Sequence, residues 1–164
     1  MSTPDPNWPR WFFASIGDYF KTVADGINLP ILIEGIDERE AEKIRAADHV
    51  ELRINGPAIR EISAGYFRVW LDVNLLLTSI MGGQTKNAYD IVQQAGVLQQ
   101  AASQPIPIFR FGNAPGDDGT SLGCLTARRG RRENVTVFHF GQIGRDERVR
   151  QSAVDARFEI YLCN

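Results

Sequence analysis

The feature that most constrains the fold of this chain is the alternation of apolar and polar side chains over residues 66–78. Successive side chains of a β-strand point to opposite faces of a sheet, so the alternation predicts one strand about 40 Å long. The second face mixes Arg68, Trp70 and Asp72, and we expect another element or another subunit to cover it in part. The first face is wholly apolar and indicates the core: Phe67, Val69, Leu71, Val73, Leu75 and Leu77.

Apolar side chains at helical spacing predict two main helices. The first covers residues 11–27. Pro9 fits the first turn of this helix, because a backbone N–H at that position has no partner within the helix and its absence costs nothing. The second is capped by Thr85 and ended by Pro105. Between the two helices, residues 37–47 are expected to form a helical turn or an exposed loop. The apolar positions are Phe12, Ile16, Tyr19, Phe20, Val23 and Ile27 in the first helix, and Ala88, Ile91, Val92, Ala95, Leu98 and Ala102 in the second.

Shorter apolar or alternating segments predict further strands, at residues 31–33, 49–55, 106–111, 122–127, 134–143 and 152–162. We expect Asn55-Gly56-Pro57 to end the second of these strands. Segregated helices and hairpin-linked strands predict an α+β fold with a mainly antiparallel sheet packed with two main helices. Because regular alternation of strand and helix is missing, the pattern does not favour a doubly wound nucleotide-binding fold.

The chain of 164 residues predicts a single domain over residues 10–164, preceded by a flexible, proline-rich arm over residues 1–9. Trp8 and Trp11 flank the start of the first helix. Two interpretations of these rings stay open, because bulky aromatics serve both: they staple the helix onto the core, or they contact a partner subunit.

Composition narrows the function classes. Lysine and arginine number 18 and aspartate and glutamate 20, so bulk charge does not indicate a nucleic-acid binder, although a local patch remains an option. No apolar run reaches the roughly 18–20 residues of a membrane helix, and the first nine residues do not resemble a signal peptide. We therefore expect no membrane partner.

The sequence shows no recognisable catalytic or metal-binding pattern. His49 and His139 have no partners at metal-ligand spacing, and we expect neither a metal nor a cofactor. Cys124 as a nucleophile with His139 as its base would make a small hydrolase, but no nucleophile motif surrounds them. Cys124 and Cys163 are expected to be buried, unpaired thiols, with cross-linking of a neighbouring subunit as the alternative for Cys163. The sequence predicts that the protein is not an enzyme.

Two charged segments are candidate partner contacts. Arg128, Arg129, Arg131 and Arg132 surround Gly130, and we expect them at the tip of a hairpin. Such a tip suits nucleic-acid phosphates, an acidic partner surface or solvent alone. Asp117 and Asp118 lie in the glycine-containing loop 112–119, which lacks the lysine of a phosphate-binding loop and the spacing of a calcium loop.

Several segments together resemble the tail terminator, or tail completion, proteins of long-tailed bacteriophages. The resemblance extends over nearly the whole chain from Trp11, and its order of elements is a helix, strands, a second helix and further strands. The segments that carry it are the helix 11–27, VELRINGP at 50–57, the strand 66–78, QTKNAYDI at 84–91, FHFGQI at 138–143 and FEIYLCN at 158–164.

This resemblance implies a structural virion protein, made in the host cytoplasm, that forms a homo-oligomeric ring, commonly a hexamer. Such a ring caps the tail tube at its head-proximal end and joins the tail to the head. Its implied partners are further copies of itself, the tail tube protein and the head–tail connector or neck proteins, with DNA passing through the lumen. By position, the contacts to tube or neck fall in loop 112–121 and in Arg128–Arg132. The alternatives are another neck, connector or tail-tube ring subunit, and a nucleic-acid-contacting module that uses the arginines.

Overall fold

The computed structural model of the protein describes residues 3–36, 40–80, 88–111, 119–127, 135–142 and 148–163. Those residues form an α+β fold in which one mixed, curled sheet packs against helices. The helices are α1 (Trp8–Gly26), α2 (Ala41–Arg45) and α3 (Ala88–Ala102). The strands are β1 (Ile31–Ile33), β2 (His49–Ser63), β3 (Tyr66–Ile80), β4 (Ile106–Arg110), β5 (Thr120–Ala127), β6 (Val135–Gln142) and β7 (Val149–Cys163).

The sheet has seven strands in the order β1-β2-β3-β7-β5-β4, and β6 also pairs with β7. Strand β1 is parallel to β2, and the other pairs are antiparallel, so the prediction of a mainly antiparallel sheet is confirmed. Helix α1 contacts β1 and β2 as well as β4, which lies at the far end of the strand order. The sheet therefore curls, and α1 lies in its concave face.

The central strand β3 has the two faces that its sequence predicts. All six apolar side chains of the first face, from Phe67 to Leu77, are buried, and they join α1 and α3 in one core. We call this the inner face of the sheet. Arg68, Trp70 and Asp72 point to the outer face, where they are half-buried. Their half-buried state agrees with the prediction that this second face of the strand is partly covered.

Helix α1 begins at Trp8, so part of the predicted arm is helical. Pro9 lies in its first turn, as predicted. Phe12, Ile16 and Phe20 are fully buried along one face of the helix. Tyr19 donates its hydroxyl hydrogen to the carbonyl oxygen of Ala101 at 2.9 Å, which ties α1 to α3, and burial raises the pKa of Tyr19.

Helix α3 ends at Ala102, before Pro105, as predicted. Ile91, Ala95, Leu98 and Ala102 are buried, but Val92 is 45% exposed, so the predicted apolar stripe is wrong at that position. Ile91, Ala95 and Leu98 follow the helical repeat closely, whereas Val92 lies one residue beyond Ile91 and points away from the sheet. No helix in the described ranges is both long enough and apolar enough to cross a bilayer.

Strand β2 does not end at Asn55-Gly56-Pro57, so that prediction is wrong. It continues to Ser63, and a shift in its register with β3 falls between Asn55 and Ala58. Gly56 has φ +114°, a conformation open chiefly to glycine. The turn residues therefore form a bulge in the part of β2 with which β1 does not pair. Proline is tolerated in such a bulge because the ladder hydrogen bond is not needed there.

Strands β5 and β6 do not form the expected hairpin. Ala127 lies opposite Phe158 of β7, and Val135 lies opposite Ala156. Both strands are antiparallel to β7, so they run in the same direction along one of its sides, and no described residue of β5 pairs with β6. The prediction is wrong because periodicity identifies strands but not their neighbours.

Candidate interaction surface

The outer face of the sheet carries a row of cross-strand polar pairs between β3 and β7. Arg157 donates two hydrogen bonds to Asp72, from Nε to Oδ1 at 2.6 Å and from Nη2 to Oδ2 at 3.2 Å. Arg68 donates two to one oxygen of Glu159, and its Cζ lies 5.8 Å from the centre of the Trp70 ring. Asn74 donates to Asp155.

These pairs explain why the outer face of β3 mixes charge with tryptophan. The hydrogen bonds from Arg68 to Glu159 and from Arg157 to Asp72 raise the pKa of each arginine. Asp72 lies directly opposite Arg157, whereas Arg68 reaches Glu159 diagonally, because Glu159 lies opposite Trp70. Opposite charges at such cross-strand positions stabilise the pairing of the strands modestly. The centre of the outer face is therefore satisfied within one chain.

Two stacked aromatic pairs lie on the outer face on either side of these polar pairs. Tyr66 and Tyr161 stack with ring centres 6.0 Å apart, and they are 37% and 46% exposed. Phe138 and Phe140 of β6 stack at 6.5 Å, and they are 46% and 55% exposed. Phenylalanine has no polar group to offset this exposure, so Phe138 and Phe140 form the more apolar of the two patches.

The Phe138 patch continues onto the neighbouring strands. Phe138 lies opposite Ala153 of β7, which in turn lies opposite Leu76 of β3. Ala153 is only 4% exposed although it belongs to the outer face. The apolar surface therefore extends across three strands and ends at β6.

The predicted contacts Trp8 and Trp11 are buried within the chain, 3% and 4% exposed. Trp8 meets Phe67 edge to face at 5.4 Å. Trp11 donates its Nε1–H to the carbonyl oxygen of Phe111 at 2.9 Å, and Arg110 lies over its ring. Both rings hold α1 on the core, which is the first of the two interpretations that the sequence left open.

The other predicted contact residues lie outside the described residues: Asp117, Asp118, Arg128, Arg129, Arg131 and Arg132. Their flanking residues are placed, however. The described residues on either side of the arginine segment are Ala127 and Val135, and each pairs with β7. Its partner contacts stay a prediction.

An ionic cluster of the buried His49 and Glu51 with the half-exposed Arg45 joins α2 to the start of β2. His49 is 3% exposed, and its Nδ1 lies 2.7 Å from the carbonyl oxygen of Ala47 while its Nε2 lies 3.4 Å from Oε1 of Glu51. Arg45 donates its Nε–H to the same Glu51 oxygen at 2.9 Å. Burial raises the pKa of Glu51, but Arg45 and His49 outweigh it, and the pKa lies below its ordinary value. This cluster anchors α2 to β2.

The register separates the two residues that a thiol hydrolase would need. His139 lies opposite Ser152 and hydrogen-bonds to its hydroxyl at 2.8 Å, whereas Cys124 precedes Thr126, which lies opposite Glu159. At about 3.3 Å per residue, His139 and Cys124 are about 25–30 Å apart along β7. They cannot act on one substrate together.

The cysteines are unpaired, as predicted, but the prediction that they are buried is wrong. Cys124 and Cys163 are both exposed. Leu125 and Leu162 are the buried neighbours, so strand alternation turns each thiol outward. Within the described part of the chain no group of three or more histidine, cysteine, aspartate or glutamate side chains is arranged to hold a metal ion.

No protein-family model matches the chain, and no curated protein matches it at a significant level of similarity. The fold and the surface therefore carry the functional argument. Sequence reasoning missed the exposure of Phe138 and Phe140. The alternation of side chains along β6 could have predicted this exposure. Val135 and Val137 pack on the core, so Phe138 falls on the opposite face of the strand.

Proposed function

We propose that this protein is a structural virion component of a tailed bacteriophage, a tail-terminator-like subunit that assembles into a ring. The ring caps the tail tube and joins it to the head–neck. In this role the chain needs no catalytic residues and no cofactor. Its partners are other copies of itself, the tail tube protein and the connector or neck proteins.

The observation that carries the proposal is the exposed apolar patch of Phe138 and Phe140 at one side of a curled α+β sheet. Exposed aromatic patches of this kind mark contacts with other protein chains. The resemblance of the segments at 50–57, 84–91, 138–143 and 158–164 to tail terminators supports the identity of the assembly.

The test is the mass of the purified protein by light scattering after gel filtration, with negative-stain images of the peak. We expect a closed ring with a lumen wide enough for duplex DNA. A chain that is monomeric alone and still does not assemble when mixed with tail tubes would contradict the proposal.

The choice between a terminator and another ring of the neck or tube depends on the binding partner. A terminator ring binds the end of a preformed tube and stops its growth. A tube subunit extends the tube instead, and a neck subunit binds the connector without the tube. Cosedimentation with each partner separates these roles.

The four arginines at 128–132 favour nucleic acid as the second candidate partner, since arginine pairs with phosphate through two hydrogen bonds. Binding to duplex DNA that weakens steeply with salt would support this role. Loss of that binding in the variant with all four arginines changed to alanine would assign it to this segment.

A further inference from the structure

One polar side-chain atom among the described residues is buried and has no hydrogen-bond partner: Nε of Arg150. Arginine keeps its positive charge in proteins, and its guanidinium group only donates hydrogen bonds. A buried donor of a charged group is costly to leave without an acceptor. Arg150 as a whole is half-buried, so a small solute can approach its side chain from solvent.

Arg150 lies near the start of β7, where neighbouring strands pair with β7 on both sides. It lies opposite Ser79 of β3 and opposite Gln142 of β6. Val154 belongs to the core, and side chains alternate along a strand, so Ser152 and Arg150 share the inner face with it. Arg150 therefore lies at the end of the core, where the apolar side chains of β7 give way to polar ones.

A second group of donors lies beside Arg150 on the same face. Ser152 is 1% exposed, and its hydroxyl oxygen lies 2.8 Å from Nδ1 of His139 on β6. If Nδ1 carries the ring hydrogen, the hydroxyl of Ser152 is left to donate to a third group. If Nε2 carries it, Ser152 donates to Nδ1 and the Nε2–H is left instead. In either tautomer the pair keeps one hydrogen for a ligand.

The negative charge of Asp48 lies on the other side of Arg150. Asp48 accepts a hydrogen bond from the N–H of Ile80 at 2.7 Å and one from the hydroxyl of Ser79 at 3.4 Å. These contacts hold the carboxylate against β3, and it is not an acceptor for Nε of Arg150. His139 lies on the opposite side of β7, because β6 and β3 flank that strand. An anion bound to Arg150 therefore belongs on the β6 side, away from Asp48.

We propose that Arg150, Ser152 and His139 form a binding site for a small oxyanion of the phosphate class. The guanidinium group of Arg150 supplies charge-assisted hydrogen bonds, and the Ser152–His139 pair donates to a further oxygen. Because Nε is buried, the site suits a free anion and not the phosphates of a nucleic-acid backbone. His139 points to the face of β6 opposite to that of Phe138, so this site does not rest on the proposed ring.

The first test follows the arginine side chains of the wild-type chain by ¹H–¹⁵N NMR during a titration with sodium phosphate. Sodium chloride at matched ionic strength is the reference. Arg157 is the internal control, since it lies on the same strand but its guanidinium group already binds Asp72. We expect the Nε–H signal of Arg150 to move and to saturate with millimolar phosphate, while that of Arg157 stays in place. No shift, or an unsaturated shift that both arginines share, would overturn the inference.

A short DNA duplex, added at the same concentration of phosphate groups, separates the two sources of phosphate. We expect the duplex to leave the Nε–H signal of Arg150 unchanged, because a duplex backbone does not reach a buried atom. A shift produced by the duplex and not by free phosphate would overturn the assignment of a small free anion.

The second test compares Arg150→Gln with Arg157→Gln by thermal melting, after circular dichroism has shown that both variants fold. Phosphate also stabilises proteins without binding, by exclusion from their surface, so the effect of the site is the difference between variants. At phosphate about tenfold above its dissociation constant, we expect the melting temperature of the wild type and of Arg157→Gln to rise about 3–6 °C more than that of Arg150→Gln. Equal rises in all three chains would overturn the inference. If Arg150→Gln does not fold, the titration of the wild-type chain decides alone.

Discussion

Single residues show how charge and backbone conformation stabilise the sheet from within. Glu51 accepts hydrogen bonds in a largely buried position, and its lowered pKa means that folding favours the ionised form. Its contribution to stability is complete above its ordinary pKa near 4.5 and is lost as the pH falls through the lower pKa of the folded state.

We predict that Glu51→Gln lowers the free energy of unfolding by about 1–3 kcal/mol at neutral pH, because Arg45 and Arg53 both lose an ionised partner. Urea denaturation measures this, and the difference from wild type shrinks below the ordinary carboxyl pKa. Glu34→Gln is the control, since Glu34 pairs with Arg53 but is 58% exposed, and Arg53 keeps its second contact, with Glu51, in this variant. We expect less than about 0.5 kcal/mol from the control.

Substitution of glycine by alanine should change the free energy of unfolding in opposite directions at two positions, Gly56 and Gly96. A Cβ at Gly56 would lie 3.2 Å from Cβ of Leu71 and would occupy a backbone with φ +114°. Gly56→Ala should therefore lower the free energy of unfolding by at least about 1 kcal/mol. Gly96 lies in α3 with nothing within 4 Å of its Cβ position, and Gly96→Ala should raise stability by up to about 1 kcal/mol. Thermal melting that shifts both variants in the same direction would contradict this account.

At the scale of elements, α1 acts as the cover of β4. Its aromatic side chains supply the apolar contact, and Ser15 accepts a hydrogen bond from the edge of β4 at Phe109. The same arrangement explains why Trp11 and Ser15 lie on one side of the helix, four residues apart.

We predict that Ser15→Ala destabilises the protein by about 1–3 kcal/mol, because the N–H of Phe109 is left without its acceptor. Hydrogen exchange should accelerate at the Phe109 amide more than at its neighbours on β4. Ser63→Ala, at the exposed end of β2, is the control and should change neither quantity. An unchanged Phe109 amide in Ser15→Ala would show that the helix does not satisfy this edge.

At the scale of the whole molecule, the two cysteines report which surfaces an assembly covers. Both are exposed in one chain, and Cys163 lies opposite Tyr66 at the end of β3, away from the β6 edge. We predict that two thiols per chain react with a disulfide reagent under native conditions. Reaction of fewer than two thiols in a monomeric sample would contradict the exposure of these side chains, and a decrease that appears only on assembly would place a cysteine in an interface.

Local sequence patterns predicted most elements of this fold. The alternation over 66–78 located the central strand and its buried face, and helical spacing located α1 and α3, because these periodicities arise within a single element. These local patterns failed where the bounds of an element depend on the strand that pairs with it. Asn55-Gly56-Pro57 favours a chain break, but pairing with β3 on both sides of the bulge carries β2 onward to Ser63.

The sequence by itself determined the class of fold, the core face of β3 and the amphipathic helices, since burial follows from side-chain periodicity. The tertiary structure alone decided that β5 and β6 share one side of β7, that α1 covers β4 and that no described strand pairs with the other side of β6. Strand pairing joins residues far apart in the chain, and no local pattern records which strands meet. The candidate interface depends on that pairing, so Phe138 and Phe140 became functional candidates only in the folded sheet.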